Sequence, residues 1–285
     1  MCYDNMGPAT EISGGSAANT AVGLASFGGK AAFVGKIADD EFGRIFAHDI
    51  KAAKVTFEAK PVHGGSPTSR SLILVTPDGE RTMNTLLGIS TELSDSELNP
   101  ALIESAKILY LEGYLFDRPA AKAAFRKAVN IAKRAGGQVA LSLSDSFCVD
   151  RHRTEFKTLI SEGVDIVFAN ETEIMSLYET KAFAGAARQA AAHMQRAVLT
   201  RGAQGSLILA GGKEIAIPID PVAKVVDTTG AGDLYAAGFL YGFTQGFDLA
   251  KAGRLGSIAA TEIISHTGAR PATPLLALAR TKGVL

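Results

Sequence analysis

From residue 101 onward the sequence alternates short, uninterrupted apolar runs with longer amphipathic ones, and no other feature limits the possible folds so tightly. Residues 108–111, 139–143, 166–168 and 198–199 read as strands, with a helical stretch between each and the next. Strands that are apolar along their whole length have no solvent-facing side, so they belong in a parallel sheet covered by helices on both faces. The prediction is an α/β protein, a three-layer sandwich around a mostly parallel central sheet. Helices are expected over residues 17–27, 42–54, 119–135, 185–195, 232–245 and 249–265. The third has Pro119 in its first turn and Gly136-Gly137 just past its end, the punctuation expected of a helix. Residues 31–34 read as a further strand, and 206–209 pair with 214–218 through Gly211-Gly212 as a hairpin. Ligands in such folds gather at the carboxyl ends of the strands.

Residues 66–90 break the pattern: they read as two strands around the turn Pro77-Asp78-Gly79, with little helical character, and so as a lid. A chain of 285 residues with 47% hydrophobic side chains can fill one large core, and no linker or repeat divides it. Residues 1–285 are therefore expected to form one domain, with a small β lid contributed by about 1–13 and 66–91. The 29 basic and 29 acidic side chains cancel and are scattered, which leaves no electrostatic footprint for nucleic acid or an acidic membrane. The first ten residues lack the basic and apolar regions of a leader, and Lys30, Lys36 and Asp233 interrupt the longest apolar stretches. Two cysteines, Cys2 and Cys148, supply neither a disulfide framework nor a cysteine-rich zinc site. A cytoplasmic protein acting on a small molecule is expected.

The strongest chemical signal is Asp227-Thr228-Thr229-Gly230-Ala231-Gly232-Asp233, which opens the helix expected over 232–245. Small residues at a helix start present free N–H groups and the positive end of the dipole to one point, an anion hole suited to phosphate. Asp233 in the first turn is placed to accept a proton from a bound hydroxyl. Read alone, it is equally a charge on a helix dipole.

Together with three other segments, this heptapeptide resembles the signatures of the ribokinase-like (PfkB) carbohydrate and nucleoside kinases. Gly14-Gly15-Ser16-Ala17-Ala18-Asn19-Thr20-Ala21, continuing to Phe27-Gly28-Gly29, is similar to the first signature. Asn170-Glu171-Thr172-Glu173 matches an Asn-x-x-Glu element, and Thr200-Arg201-Gly202-Ala203-Gln204-Gly205 a Thr-x-Gly-x-x-Gly nucleotide loop. Separately these would be a helix cap, a turn and a polar helix residue; their order and company overturn those readings. The resemblance implies a ribokinase-like fold and an ATP- and magnesium-dependent kinase. It makes Asp233 the base, and the amides of Gly230, Ala231, Gly232 and Asp233 the anion hole. Glu173, helped by Asn170, would organise Mg2+ and its waters. Thr200, Gly202, Gly205 and Thr229 would lie along the nucleotide, and Gly14, Gly15 and Asn19 would hold substrate hydroxyls. Asp227, Thr229 and Gly268 occupy places where related kinases hold K+; ordinary loop packing is the alternative.

The resemblance is closer to the adenosine kinases than to the sugar kinases of the family. Sugar kinases typically carry Asp-x-Asn-x-Arg after the strand that here reads Leu141-Ser142-Leu143-Ser144-Asp145-Ser146-Phe147. In the lid, Arg81 would reach the transferred phosphate, while Met83 and Thr85 help enclose a purine. Tyr114, Leu115 and Phe116 would supply its apolar and stacking surface. The implied reaction is phosphorylation of the 5′-hydroxyl of adenosine. The alternatives are a kinase of fructose, ribose or a related sugar, and a non-catalytic nucleoside- or nucleotide-binding protein. Oligomeric state stays open between a monomer and a lid-mediated dimer. Family members begin with a long strand bearing a substrate-binding Asp, whereas only about a dozen residues precede Gly14 here and Asp4 lacks that context. A first strand missing from the sequence is the expectation, an incomplete pocket the alternative.

Overall fold

The structure, a computed structural model, describes residues 7–285. In chain order its first half runs α1 (Ser16–Ser26), β1 (Ala31–Ala32), α2 (Glu41–Ala52), β2 (Val55–Thr56), β3 (Arg70–Val75), β4 (Arg81–Leu86), α3 (Pro100–Ser105), β5 (Ile108–Glu112) and α4 (Pro119–Arg134). There follow β6 (Gln138–Ser142), α5 (Ser146–Gly163), β7 (Ile166–Asn170), α6 (Glu171–Tyr178), α7 (Phe183–His193) and β8 (Arg196–Thr200). The chain continues with β9 (Ser206–Ala210), β10 (Lys213–Ile217), α8 (Ala231–Thr244), α9 (Leu249–Ile263) and α10 (Leu275–Thr281).

The central sheet has six strands in the order β10-β9-β8-β7-β6-β5. Strands β5 to β8 are mutually parallel, as their apolar runs predict, and the β9–β10 hairpin adds antiparallel to β8. Side-chain alternation divides the core into two layers. Val139, Leu141, Val167, Ala197 and Leu199 pack on the face covered by α4 to α7. Ala140, Ile166, Phe168 and Val198 pack on the face covered by α8 and α9. Each buried Val, Leu, Ile or Phe among them contributes about 1.5–3 kcal/mol over its exposed state, enough in sum to hold both helical layers.

Three sequence expectations are revised. The strand expected over 31–34 is only Ala31–Ala32, because its partner Val55–Thr56 offers two residues of ladder. Two helices, α6 and α7, rather than one, separate β7 from β8, since Glu179 in the left-handed region ends the first. Residues 7–13 form no strand, and residues 1–6, with Asp4, lie outside the described residues. The ribbon β3–β4 does form as expected, with its turn closed by Thr76 N–H donating to Glu80 O at 2.9 Å.

Helix α1 crosses α8 at close range. A Cβ on Gly23 would lie 2.5 Å from Leu234 Cδ1 and 2.7 Å from Ala237 Cβ, so only glycine permits this approach. Among the described residues, no helix is long and apolar enough to cross a membrane.

Candidate active site

The crossing of α1 and α8 brings their N-termini together, and Asp233 sits at the junction. Ser16 Oγ donates to Asp233 Oδ1 and Asn19 Nδ2 to Asp233 Oδ2, both at 2.8 Å. Thr20 Oγ1 adds a bond to the Asp233 carbonyl at 3.2 Å. Burial pushes the Asp233 carboxyl above the usual carboxylate range, outweighing the donors Asn19 and Ser16 and the charges of Arg270 and Arg81. A carboxylate so placed is held in one orientation yet is hungry for a proton. Asn19 is 4% exposed, and its Oδ1 has no hydrogen-bond partner among the described residues. A buried acceptor without a donor is costly, and a ligand hydroxyl beside Asp233 would satisfy it.

The start of α8 has the form an anion hole requires. Its N-cap, Gly230, has φ 82° and no side chain caps the helix. The amides of Gly232 and Asp233 therefore have no acceptor among the described residues, whereas Ala231 N–H makes a long bond, 3.3 Å, to Thr228 O. Space opens above Gly232, where no atom lies within 4 Å of an added Cβ. Asp227 braces the loop from behind: its Oδ1 accepts from Thr229 N–H and Oγ1, and its Oδ2 from Gly268 N–H at 2.9 Å. Burial opposes ionisation of Asp227, but these donors win and hold its carboxyl below the usual range. Asp227, Thr229 and Gly268 thus do come together, through the carboxylate of Asp227.

Asn170 ends β7 and Thr200 ends β8, and the two are paired in register, so the Asn-x-x-Glu element and the Thr-x-Gly-x-x-Gly turn are neighbours. Asn170 and Glu173 form a complete capping box: Glu173 N–H donates to Asn170 Oδ1 at 2.8 Å, and Asn170 N–H to Glu173 Oε2 at 3.0 Å. The Asn170 amide also donates to Glu173 Oε1 at 2.6 Å. Glu173 is 6% exposed and pushed up to about 7, by burial first, with the charges of Asp145 and Asp233 adding. A buried carboxyl raised in part by two neighbouring carboxylates suits a hard cation held through its water shell. Beyond Thr200 a tight turn, Gly202–Gln204, is closed by Arg201 N–H donating to Gly205 O at 2.8 Å, with Gly202 and Gly205 both at positive φ.

Glu112 is a charged residue of the site that the sequence did not single out. Glu112 terminates the apolar strand Ile-Leu-Tyr-Leu-Glu, and its Oε2 accepts Ala17 N–H from the first turn of α1 at 2.9 Å. Burial pushes it up to about 7; the Ala17 bond opposes this and the charge of Asp233 adds to it. A carboxylate closing an otherwise apolar strand at its carboxyl end was the available signal. A raised carboxyl favours the native state below its unfolded pKa, and that stability is lost as pH rises through about 7. Glu112→Gln abolishes this titration. Relative to the unsubstituted, ligand-free protein, the variant should gain on the order of 2 kcal/mol on going from pH 5 to pH 8, as chemical denaturation at the two pH values will show. A difference independent of pH would contradict the burial assigned to Glu112.

Around the acceptor side, Gly113 N–H and Tyr114 OH tie the ends of β5 and β6, donating to Ser144 Oγ at 2.8 Å and Ser144 O at 3.1 Å. Tyr114 is 41% exposed and Met83 48%. Leu115 is partly buried against the core, and Phe116 is withdrawn into it, stacked on Phe156 at 4.3 Å. Phe116 therefore offers no stacking surface to a ligand. Phe147, in the first turn of α5, is 74% exposed and is the open aromatic here. The ribbon tip reaches across: Arg81 Nη1 donates to Thr228 Oγ1 at 2.5 Å, and Thr228 N–H to Gly79 O at 3.3 Å. Arg81 thereby stands beside the anion hole, and Met83 and Thr85 follow on the same face of β4.

The profile of the pfkB family carbohydrate kinases matches residues 7–275. The chain belongs to the PfkB family. It is an ATP-dependent kinase of ribokinase-like fold. A probable sugar kinase protein from Rhizobium etli CFN 42 is 48% identical, with a TM-score of 0.97 over 100% of this chain and 86% of that one. Adenosine kinase from Sinorhizobium meliloti is also 48% identical, with a TM-score of 0.96 over 99% of this chain and 86% of that one. A 5-dehydro-2-deoxygluconokinase from Shouchella clausii is 30% identical over 279 residues, 94% of this chain and 85% of that protein. PfkB membership thus accounts for the joint presence of the Asp227–Asp233 segment, the Asn-x-x-Glu element and the Thr-x-Gly-x-x-Gly turn.

Proposed function

We propose that this PfkB kinase transfers the γ-phosphoryl group of ATP to the 5′-hydroxyl of adenosine. The phosphates lie over the free amides of Gly232 and Asp233, with Thr200, Thr229, Gly202 and Gly205 along the nucleotide. The acceptor hydroxyl meets Asp233, which takes its proton as the oxygen attacks phosphorus. Asn19 Oδ1 accepts from a second hydroxyl and fixes the sugar, and Gly14 and Gly15 present backbone to it. Glu173 and Asn170 would hold Mg2+ through its waters, and the ion when bound would offset the charge of the phosphates. Arg81 neutralises the migrating phosphoryl group from the lid. The protein forms no covalent bond, so positioning and electrostatics supply the acceleration.

The observation that carries the acceptor is 48% identity to an adenosine kinase over 99% of the chain. The exposed Phe147, Tyr114 and Met83 suit the faces of a purine. A sugar acceptor is the second reading, favoured by the 30% identity to a 5-dehydro-2-deoxygluconokinase. ADP release measured with adenosine, ribose, fructose and 5-dehydro-2-deoxygluconate separates the two. For adenosine kcat/KM should exceed that of every sugar by about 10²-fold or more, since a site built around a base leaves its surface unfilled by a sugar. Turnover of a sugar with none on adenosine overturns the proposal.

A further inference from the structure

We infer that Arg270 is a positioning residue that clamps the acceptor-binding turn onto the phosphate-binding loop. Its guanidinium reads three main-chain carbonyls of one turn: Nε donates to Ser13 O at 2.8 Å, Nη1 to Ala18 O at 2.7 Å and Nη2 to Gly14 O at 3.3 Å. Those carbonyls flank Gly14, Gly15 and the start of α1, the segment that presents Ser16 and Asn19 to Asp233. Ser13 is gripped from the other side by Asp49 of α2, whose Oδ2 accepts Ser13 Oγ at 2.7 Å. The two residues before Arg270 belong to the other half of the site. Gly268 N–H is held by Asp227 at 2.9 Å, and Ala269 lies against Gly230. Segment 268–270 is therefore a strap from the anion hole to the acceptor turn, and Arg270 is its far end.

A planar fork with several donors can hold converging carbonyls that a lysine head cannot. Among the described residues no carboxylate is within ion-pairing distance of Arg270, so its charge acts on its surroundings at longer range. Desolvation pulls its own proton affinity down to about 10, against the charges of Asp233 and Asp49. Asp233 faces Arg270 from the strap, Arg81 from β4, Glu112 and Tyr110 from β5, Tyr114 beyond it and Glu173 from α6. Arg270 and Arg81 are the cations of that set. Arg270 accordingly does two separable things: its shape fixes the turn, and its charge favours the ionised form of Asp233 against the stronger opposing effect of burial.

The inference rests on residues 14–19 binding the phosphoryl acceptor, and two variants test it. Arg270→Lys keeps the charge and loses the fork; Arg270→Met loses both. For Arg270→Lys the acceptor KM should rise about tenfold while the ATP KM stays within about twofold, with the acid limb of the pH–rate profile unmoved. For Arg270→Met the acid limb should also shift upward by roughly half a unit or more, since Asp233 has lost a cation. Unchanged acceptor KM in Arg270→Lys, or both KM values rising together, overturns the clamp. An unmoved acid limb in folded Arg270→Met overturns the electrostatic role. Should Arg270→Met fail to fold, Arg270→Asn, the shorter neutral variant, supplies the same pH comparison. Wild-type protein that turns over no acceptor defeats the reading of the site instead. The clamp is then judged by amide hydrogen exchange, where Arg270→Lys should expose residues 13–19 at least tenfold while leaving 200–205 unchanged. Unaltered exchange at 13–19 overturns it.

Discussion

Replacing Asp233 by Asn should lower kcat by about 10³-fold or more while the affinity for ATP stays within about threefold. At the junction of α1 and α8 both oxygens of the Asp233 carboxylate accept from fixed donors, Ser16 Oγ and Asn19 Nδ2. An amide in its place has one oxygen, so its NH2 must face one of those two donors. It also cannot take a proton from the attacking hydroxyl. The anion hole is made of main-chain N–H groups and survives the substitution, which is why nucleotide binding is spared. Turnover by a coupled ADP assay and ATP affinity by titration calorimetry report the two effects separately. In the unsubstituted protein activity should fall on the acid side as Asp233 takes up its proton, beginning above the usual carboxylate range because burial raises it. That limb should vanish from the residual activity of Asp233→Asn. Near-normal turnover would remove Asp233 from the chemistry altogether.

Gly230→Ala should cost about 10²–10³ in kcat and also destabilise the fold by roughly 1–3 kcal/mol. Gly230 has φ 82°, a conformation alanine adopts only under strain, and its Cβ would stand 2.9 Å from Ala269 Cβ and 3.2 Å from Ala269 Cα. Neither neighbour can yield easily, since residue 268 is tied to Asp227 and residue 270 to the acceptor turn. Relief comes by displacing the start of α8, and with it the amides of Gly232 and Asp233. Gly232→Ala is the informative contrast. Nothing lies within 4 Å of its added Cβ and its φ is not positive, so the fold should tolerate it. Its methyl projects into space assigned to phosphate, so it should weaken ATP binding without lowering Tm. Thermal melts and kinetics of the two variants distinguish a displaced helix from an obstructed pocket. Wild-type kcat in Gly230→Ala would show that the loop geometry does not set the rate.

Much of this site is written in contiguous sequence. Asp227–Asp233 and the turn before α1 carry their geometry locally, in small residues at a helix start, so both were legible. Asn170 and Glu173 were readable as a cap and as a cation-organising pair, and the structure makes the cap complete without excluding the second role. Other members of the site exist only through packing. Ser16 meets Asp233 across 217 residues, Ala17 meets Glu112 across 95 and Arg270 meets Ser13 across 257. No local pattern announces a contact made by two helices crossing. Phe116 shows the converse limit. Three successive residues, Tyr114, Leu115 and Phe116, look equally available to a base, and only the rotation of their short 3-10 turn decides that Phe116 stacks on Phe156 instead.

The missing side chain of Gly23 acts as the gauge of the whole cleft. Where α1 rests on Leu234 and Ala237 fixes how far the turn at 14–16 stands from the amides of Gly232 and Asp233, although Gly23 belongs to neither. In the proposed reaction the reach from hydroxyl to phosphorus is thus inherited from the core, from a position that would meet neither substrate.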